Sequence, residues 1–343
     1  MTKTSSKRLL VTGGAGFIGS NFVQLVLATR PDVSIINLDK LTYAGNLRNL
    51  EGVEKRYSGR YRFVKGDIGD AKLVSGLVSE VDAVVHFAAE SHVDRSILDA
   101  AEFIQTNVMG TYTLLHATQQ AGGRRFVHVS TDEVYGTLGD TGMFVEETPL
   151  APNSPYSASK ASSDMLVRAY NHTHKLDTVT TRCSNNYGPY HFPEKLIPLM
   201  ITNAMEGIPL PVYGEGLQVR DWIYVVDHCE GVMKALERGR SGEVYNLGGK
   251  SERKNIDVVR EILKAFNKDE SMIRYVEDRK GHDWRYAIDC SKAERELGWQ
   301  PTVSFEEGLA KTVKWYRENE AWWREVKTGG YRDFYNKYYG ELR

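Results

Sequence analysis

Short apolar runs alternate with longer stretches of helical periodicity along the first half of the chain. The runs are rich in β-branched residues, and several have no polar interruption, which is typical of parallel strands covered on both faces. They predict six strands, at 9–12, 34–39, 61–65, 83–88, 126–130 and 178–182. Helical periodicity predicts helices at 16–30, 100–120 and 157–174, long enough for right-handed crossovers between parallel strands. We therefore predict an α/β fold with a doubly wound parallel sheet, which the sixth strand completes.

The sequence pattern changes after about residue 185, where proline becomes frequent. Five prolines fall between positions 189 and 211, so turns and short elements are expected to replace the regular alternation. No internal repeat or flexible linker separates the two halves. We predict a sheet domain over 1–185 and a smaller C-terminal α/β substrate-binding lobe over 186–343, with a soft boundary that the chain crosses.

Composition narrows the class of protein. The 343 residues are 41% hydrophobic and 26% charged, which is a globular composition. Because 44 Lys and Arg stand against 45 Asp and Glu, there is no bulk field to attract nucleic acid or an anionic membrane, and neither is expected as a partner. The three cysteines are isolated, and the polar, basic start fits neither a signal peptide nor a spanning helix. We predict a cytoplasmic protein, and no residue cluster indicates a metal site.

A glycine-rich turn follows the first predicted strand and opens the first predicted helix. Its glycines are Gly13, Gly16 and Gly19. Such a turn lets the backbone approach a pyrophosphate, which the helix N-terminus stabilises. The second strand ends in Asp39, at about the spacing at which a carboxylate binds the adenosine ribose. A carboxylate there favours NAD over NADP because it repels the 2′-phosphate of NADP. The pattern predicts a Rossmann-type NAD site. A glycine turn without a ligand is the alternative, and Asp67, at the third strand end, could either flank the adenine or cap a helix.

Tyr156 and Lys160 lie four residues apart, so they share one face of a predicted helix. A neighbouring ammonium lowers the pKa of a phenol, which makes the tyrosine a usable general base near neutral pH. The alternative is an unrelated surface pair. Because Ser130 and Thr131 close the fifth strand about 25 residues upstream, we predict that this pair forms a catalytic centre with Thr131.

Two adjacent carboxylates, Asp132 and Glu133, follow the fifth strand directly. The carboxyl edge of a parallel sheet is where such folds bind ligands. A simple oxidoreductase needs no acid and base besides its Tyr and Lys, whereas elimination of water needs one group to remove a proton and another to deliver one. The pair predicts elimination chemistry, with the capping of a turn as the alternative.

These motifs resemble those of the extended short-chain dehydrogenase/reductase family and, within it, the NAD-dependent nucleotide-sugar 4,6-dehydratases. The resemblance covers essentially the whole chain. Further matching stretches are 39–46, 88–96, 185–190, 192–198, 211–214, 220–222 and 278–283. Lys280 and Trp284 depart from the family pattern, which bears on the lobe that would hold the sugar nucleotide rather than on the chemistry.

The resemblance implies a hydro-lyase that converts dTDP-glucose into dTDP-4-keto-6-deoxyglucose. Tyr156 would take the C4 hydroxyl proton while NAD⁺ oxidises C4, Glu133 would take the C5 proton, and Asp132 would protonate the departing C6 hydroxyl. The cofactor then reduces C6, so NAD would be regenerated in each turnover and tightly retained. UDP-glucose remains an alternative substrate because the two nucleotides differ little. A 4-epimerase, a decarboxylase or a non-catalytic NAD-binding sensor would not need both carboxylates.

The resemblance also implies ligand contacts and an assembly. Beyond the glycines and Asp39, the implied NAD contacts are Phe17, Ile18, Lys40, Leu41, Thr42, Asp67, Ile68, Phe87, Ala88, Ala89, Ser91, Asn107, Tyr156, Lys160 and Asn185. The implied substrate contacts are Ser91, Thr131, Asn186, Lys195, Leu196, Pro211, Tyr213, Arg220, Asn255, His282 and Asp283. Arg220 is the candidate for the pyrophosphate because a guanidinium matches phosphate oxygens, with a surface salt bridge as the alternative. The helices at 100–120 and 157–174 would form a four-helix homodimer interface.

Overall fold

A computed structural model describes residues 7–328 of the chain. Twelve strands occur in this range, and six of them match the predicted strands to within three residues. In chain order the strands are β1 Lys7–Thr12, β2 Val33–Asp39, β3 Tyr61–Lys65, β4 Ala83–His86, β5 Arg125–Thr131, β6 Thr178–Cys183, β7 Asn185–Tyr187, β8 Leu210–Tyr213, β9 Val219–Tyr224, β10 Val244–Leu247, β11 Glu252–Lys254 and β12 Ile273–Val276.

Helices separate most of these strands. The α-helices are α1 Phe17–Thr29, α2 Val53–Arg56, α3 Ala71–Ser79, α4 Val93–Leu98, α5 Ala101–Phe103, α6 Thr111–Gln120, α7 Pro155–His174, α8 Leu196–Glu206, α9 Val225–Arg238, α10 Asn255–Ala265, α11 Ser291–Leu297, α12 Phe305–Glu318 and α13 Glu320–Val326. Short 3₁₀ helices lie at Leu47–Leu50, Asp132–Tyr135 and Glu270–Met272. Among these described helices, none is both long and apolar enough to cross a lipid bilayer.

The central sheet has seven parallel strands in the order β10-β6-β5-β4-β1-β2-β3. The predicted α/β fold with a doubly wound parallel sheet and a smaller C-terminal lobe is confirmed. The prediction that β6 completes the sheet is wrong, because β10 pairs with it from Val244 opposite Thr180. The missed strand is only four residues long and lies in the half of the chain where the regular alternation has ended, so its sequence gave little signal.

The chain therefore returns to the sheet after residue 185. Helix α9 packs against α1, and α11 packs against α9 and β10. The remaining strands, a β11-β9-β7 sheet and a β12-β8 pair, belong to the smaller lobe. A separate apolar core fills this lobe, with Tyr187, Tyr316 and Trp323 fully buried in it. The division into 1–185 and 186–343 remains a prediction.

The helix predicted over 100–120 is continuous in direction but changes in type. A π-helical turn, Ile104–Gly110, joins α5 to α6. The Asn107 carbonyl oxygen accepts hydrogen bonds from the hydroxyls of Thr111 and Ser163, each at 2.6 Å. Such π turns occur frequently at functional sites, and this one buries the Asn107 side chain against the backbone of Glu90.

All strands of the main sheet run in the same direction, so their carboxyl ends meet at one edge. The glycine-rich turn follows β1 there, Asp39 ends β2, and Thr131 ends β5. The smaller lobe contributes Arg220, on β9, to the same cleft. This edge is where the sequence predicts the chemistry.

Candidate active site

The glycine-rich turn has the close packing that its sequence predicts. Gly13 has a φ of +72°, and a Cβ on it would lie 2.6 Å from the amide nitrogen of Ala88. A Cβ on Gly19 would lie 2.2 Å from the carbonyl oxygen of Gly13. Helix α1 begins just after Gly16, no described side chain caps it, and its first turn carries no acidic residue. Its N-terminal N–H groups are therefore available to an anion at the cleft.

Asp39 is buried at the end of β2 beside this turn. One carboxylate oxygen accepts the Ala15 N–H at 2.9 Å and the other accepts the Leu41 N–H at 2.8 Å. Burial raises the pKa of this carboxyl, and the two backbone hydrogen bonds oppose the shift. Each oxygen can accept a further hydrogen bond, so the side chain fits a ribose diol.

Lys40 and Asp67 join the ends of β2 and β3 through an ion pair of 2.9 Å. Burial raises the pKa of Asp67, but hydrogen bonds from the Gly69 N–H and from Lys40 outweigh burial and lower it. Asp67 is therefore charged at neutral pH. It does not cap a helix, since the cap of α3 is Asp70.

Helix α7 positions Tyr156 and Lys160 on one face. Ser154 caps the helix in a reciprocal arrangement with Ser157, and Pro155 occupies its first position. Tyr156 then lies in the first turn of the helix, close enough to Thr131 for that side chain to affect the phenol pKa. Lys160 lies one turn further and donates to the carbonyl of Val129, on β5, at 2.8 Å. Both side chains are buried, so the predicted pair is part of the site and not a surface pair.

Burial controls the protonation of this pair. It raises the pKa of Tyr156 well above the usual phenol value, and the nearby Glu133 carboxylate raises it further. It lowers the pKa of Lys160 to about 8, while the Asp164 carboxylate one turn later opposes that shift. Lys160 is therefore mainly an ammonium at neutral pH, and it can stabilise negative charge on a phenol oxygen.

Asp132 and Glu133 lie in the 3₁₀ turn that follows β5. Asp132 is 2% exposed, and its Oδ2 has no hydrogen-bond partner among the described residues. Burial raises the pKa of Asp132 well above its usual value, and the Glu133 and Asp221 carboxylates add to the shift. Burial also raises the pKa of Glu133, but Lys195, Arg220 and Arg279 oppose it. Three cations oppose the rise in pKa at Glu133 and one, Arg220, opposes it at Asp132, so the charged form is better supported at Glu133.

Arg220 is buried at the cleft and is not a surface salt bridge. Its guanidinium donates to the carbonyl oxygens of Val219 and Asp283 at 2.8 Å each, and it stacks on the Tyr286 ring at 4.2 Å. The Tyr286 hydroxyl in turn donates to the Asp283 carboxylate. These contacts fix the guanidinium in one orientation, which suits it to hold a phosphate.

One cleft of about 400 Å³ brings the predicted site residues together. All the predicted catalytic and substrate contacts line it, and so do the predicted cofactor contacts except Leu41 and Asn107. The Leu41 N–H donates to Asp39. The Asn107 amide forms hydrogen bonds with the Glu90 backbone and donates one to the Ser159 hydroxyl. Both residues therefore support residues of the cleft wall without lining the cleft themselves.

The cleft contains further residues that sequence reasoning did not select. Asp94 and Arg279 form an ion pair of 2.5 Å across the cleft, and the Tyr213 hydroxyl donates to the same carboxylate at 3.3 Å. Both charged residues lie within stretches that match the family, so a signal existed. Tyr286 lies outside those stretches, and only the fold brings it to Arg220. Lys280 and Trp284, which depart from the pattern, do not line the cleft.

The shape and donor groups of the cleft fit a dinucleotide with a second phosphorylated ligand. The glycine cradle and Asp39 occupy one end, and Arg220 and Lys195 the other. Between them, the buried Oδ1 of Asn185 has no partner among the described residues. Within the same described range, no group of three or more His, Cys, Asp and Glu residues could hold a metal ion.

Comparisons with known proteins agree with this geometry. A family model described as GDP-mannose 4,6 dehydratase matches residues 10–312. The dTDP-glucose 4,6-dehydratase of Xanthomonas campestris pv. campestris (strain B100) is 57% identical, over 94% of this chain and 97% of the relative.

Solved structures give the same result. The dTDP-glucose 4,6-dehydratase DesIV of Streptomyces venezuelae, crystallised with NAD, superposes with a TM-score of 0.91 at 56% identity, covering 93% of this chain and 100% of that one. The dTDP-glucose 4,6-dehydratase of Bacillus anthracis, in complex with NAD, gives 0.88 at 51% identity, covering 94% and 100%.

The packing of Gly19 predicts the effect of one methyl group. In Gly19→Ala, the added Cβ must displace the Gly13 carbonyl and with it the turn that faces the cleft. We expect the affinity for NADH to fall at least about tenfold, or about 1.4 kcal/mol, in a fluorescence titration. Gly76→Ala in α3 is the matched control, because its Cβ meets nothing within 4 Å. Equal affinities in the two variants would contradict the assignment of the turn.

Proposed function

This chain belongs to the nucleotide-sugar 4,6-dehydratase family, and from that premise we propose that it converts dTDP-glucose into dTDP-4-keto-6-deoxyglucose and water. One observation supports the proposal: two adjacent carboxyl groups, Asp132 and Glu133, lie in one cleft with a buried Tyr-Lys pair. A 4-epimerase needs only reversible oxidation of the sugar, so it has no use for such an acid and base. The named relatives support dTDP-glucose as the substrate.

NAD is the cofactor, and the glycine-rich turn and Asp39 would hold it. The N-terminal N–H groups of α1 would bind its pyrophosphate, and the Asp39 carboxylate would accept hydrogen bonds from the adenosine ribose. The same carboxylate would repel a 2′-phosphate, which selects against NADP. Bound NAD supplies the oxidant for C4 of the sugar and the reductant for C6.

Tyr156 would remove the proton of the C4 hydroxyl. Burial raises the pKa of this phenol, contrary to the lowering expected from the sequence, so Tyr156 must first release its own proton to solvent, and the Lys160 ammonium would stabilise the phenolate that then accepts the C4 proton. Thr131 lies close enough to the phenol to oppose part of this rise in pKa. Oxidation must come first because a ketone at C4 acidifies the proton at C5.

Glu133 and Asp132 would then eliminate water. Glu133, whose charged form is supported by Lys195 and Arg220, would take the C5 proton. Asp132, whose pKa burial raises well above its usual value, would give its proton to the C6 hydroxyl as it leaves. The two carboxyls end this step with their protonation exchanged, and solvent returns them to the starting state.

The nucleotide end of the substrate would lie against the smaller lobe. Arg220 and Lys195 carry the positive charge available to a pyrophosphate on that side of the cleft. Pro211, Tyr213 and Asn255 line the cleft nearby and would surround the nucleoside. His282 is held by Asp278 at 2.6 Å, and its ring packs edge-on against that of Tyr213 at 6.1 Å.

We propose that the enzyme is a homodimer formed by α6 and α7. Large apolar side chains on this side of the molecule are exposed although the core is well packed. They are Leu98, Ile104, Met109, Tyr112 and Met165, each more than 40% exposed. Exposed positions recur every three or four residues, at 105, 109, 112 and 116 along the π-helical turn and α6 and at 158, 162 and 165 on α7. A second copy of the same face would bury the large apolar side chains among them, Met109, Tyr112 and Met165.

We propose a cytoplasmic location because all three cysteines are free thiols. Cys183, Cys229 and Cys290 are buried free thiols, and burial raises the pKa of each above its usual value. Unreactive, unpaired thiols are typical of a reducing compartment.

The separation of roles predicts two classes of variant. Tyr156→Phe should abolish oxidation of C4. Glu133→Gln and Asp132→Asn should permit oxidation but lower product formation by about 10²–10⁴-fold, the typical contribution of general acid–base catalysis. Bound reduced cofactor, measured by its near-ultraviolet absorbance on adding dTDP-glucose, should then accumulate only in the two carboxyl variants. Unchanged product formation in Glu133→Gln would remove that residue from the mechanism.

The proposed interface predicts the mass in solution. Light scattering should give about twice the chain mass of 38.8 kDa. Met165→Glu buries two charges in a symmetric interface and should shift the protein toward the monomer. Met143→Glu, at an equally exposed methionine elsewhere, should leave the mass unchanged. A monomeric wild-type protein would contradict the proposal.

A further inference from the structure

Glu194 is a buried carboxylate that the catalytic steps do not use. Its side chain is 2% exposed, and its partners come from two segments that are distant in sequence, one with Tyr43 and one with His92 and Arg95. One oxygen accepts the Tyr43 hydroxyl at 3.0 Å, and the other accepts Nε of Arg95 at 3.4 Å. Nε2 of His92 lies 3.8 Å from the second oxygen. A group so fully removed from water must be stabilised by these partners, and so it binds the segments that carry them.

Tyr43 lies in the middle of the loop 40–46, which follows Asp39. Its neighbours Thr42, Ala44 and Gly45 line the cleft, but Tyr43 itself does not. Its ring lies 4.0 Å from the Arg95 guanidinium carbon and packs edge-on against Phe192 at 5.5 Å. The side chain is therefore an anchor that points away from the cleft while its backbone forms the wall.

Both ends of this loop are already fixed to the glycine-rich turn. At one end, Asp39 accepts the N–H groups of Ala15 and Leu41, and Leu41 has a φ of +58°. At the other end, the Asn46 N–H donates to the carbonyl of Ala15 at 3.0 Å. The middle of the loop is held by Glu194 and Arg95, which contact Tyr43. That middle covers the end of the cleft where Asp39 would bind the adenosine ribose.

Glu194 also adjoins the substrate side of the cleft. The next residue, Lys195, donates from Nζ to the carbonyl of Ser91 at 2.7 Å and lines the cleft with Leu196. The segment 192–196 thus contacts the 40–46 loop through Phe192 and Glu194, and its Lys195 and Leu196 line the cleft. One buried carboxylate links the walls of both subsites.

We propose that Glu194 is a positioning residue that holds the 40–46 loop over bound NAD through its hydrogen bond with Tyr43, and so slows release of the cofactor. The inference rests on the NAD assignment of the proposed function. It accounts for a requirement of that function, because a cofactor that is oxidised in one half of each turnover and reduced in the other must stay bound throughout.

The charge of the cluster is consistent with this role. Burial raises the pKa of Glu194 to about 7, while Lys195 and Arg95 oppose the shift. Burial raises the pKa of Tyr43 well above its usual value, so the phenol keeps the proton that it donates. Above pH 7 Glu194 is mainly a carboxylate, and a hydrogen bond to it from a neutral phenol is among the stronger kinds that proteins contain.

The test measures release of NAD rather than turnover. The full chain is loaded with radiolabelled NAD, mixed with excess unlabelled NAD, and the retained label is followed over time. Tyr43→Phe removes one hydroxyl and keeps the ring against Arg95 and Phe192. We expect it to release NAD about tenfold faster or more, with kcat at saturating NAD unchanged. Tyr275→Phe, at a tyrosine 56% exposed on β12, is the control and should match the wild type.

Glu194→Gln keeps the size of the side chain and removes its charge, and it should also release NAD faster. If both residues act through one hydrogen bond, the double variant should release NAD no faster than the faster single variant. An unchanged rate in Tyr43→Phe, or fully additive effects in the double variant, would overturn the inference. A wild-type protein that takes up no labelled NAD would instead overturn the proposed function and this inference with it.

Discussion

Withdrawal of Asp132 and Glu133 from water is the constraint on which the site depends. Isolated carboxylates are unstable in a buried environment, so each must either take a proton or face positive charge. Burial raises the pKa of both carboxyls; Glu133 and Asp221 add to the shift at Asp132, whereas Lys195, Arg220 and Arg279 oppose it at Glu133. The surrounding charges therefore differ between two adjacent residues of the same chemical class, as the proposed acid and base require.

The parallel sheet makes that arrangement possible. Its carboxyl edge brings the ends of β1, β2 and β5 to one line, while the second half of the chain returns to supply β10 and then the lobe that carries Arg220. Positive charge thus comes mainly from the lobe, and the titrating carboxyls come from the sheet. The lobes are also joined inside the cleft by the pair of Asp94 and Arg279 and by the contact of Glu194 with Tyr43. The contacts that join the two lobes therefore also help to exclude water from Asp132 and Glu133.

Six of the seven sheet strands and the candidate site residues could be predicted from the sequence because they have short-range signals. The glycine-rich turn, the spacing of Tyr156 and Lys160, and the adjacent Asp132 and Glu133 are each readable within a few residues. Contacts between distant segments are not. Tyr286 stacks on Arg220 from 66 positions away and Glu194 accepts from Tyr43 across 151, and neither pair has a local pattern. The π turn at Asn107 also escaped prediction, since hydroxyls from two helices compete for one carbonyl.

The central step of the proposed reaction is elimination of water, which requires removal of the C5 proton. The most direct measurement is incubation of the purified protein with dTDP-glucose in D₂O, and separately with UDP-glucose, with products read by mass spectrometry and NMR. The account predicts a 4-keto-6-deoxy product from dTDP-glucose that has lost water and carries one deuterium at C5. An intact hexose, or its 4-epimer, would contradict it and leave the buried pair of Asp132 and Glu133 without a role.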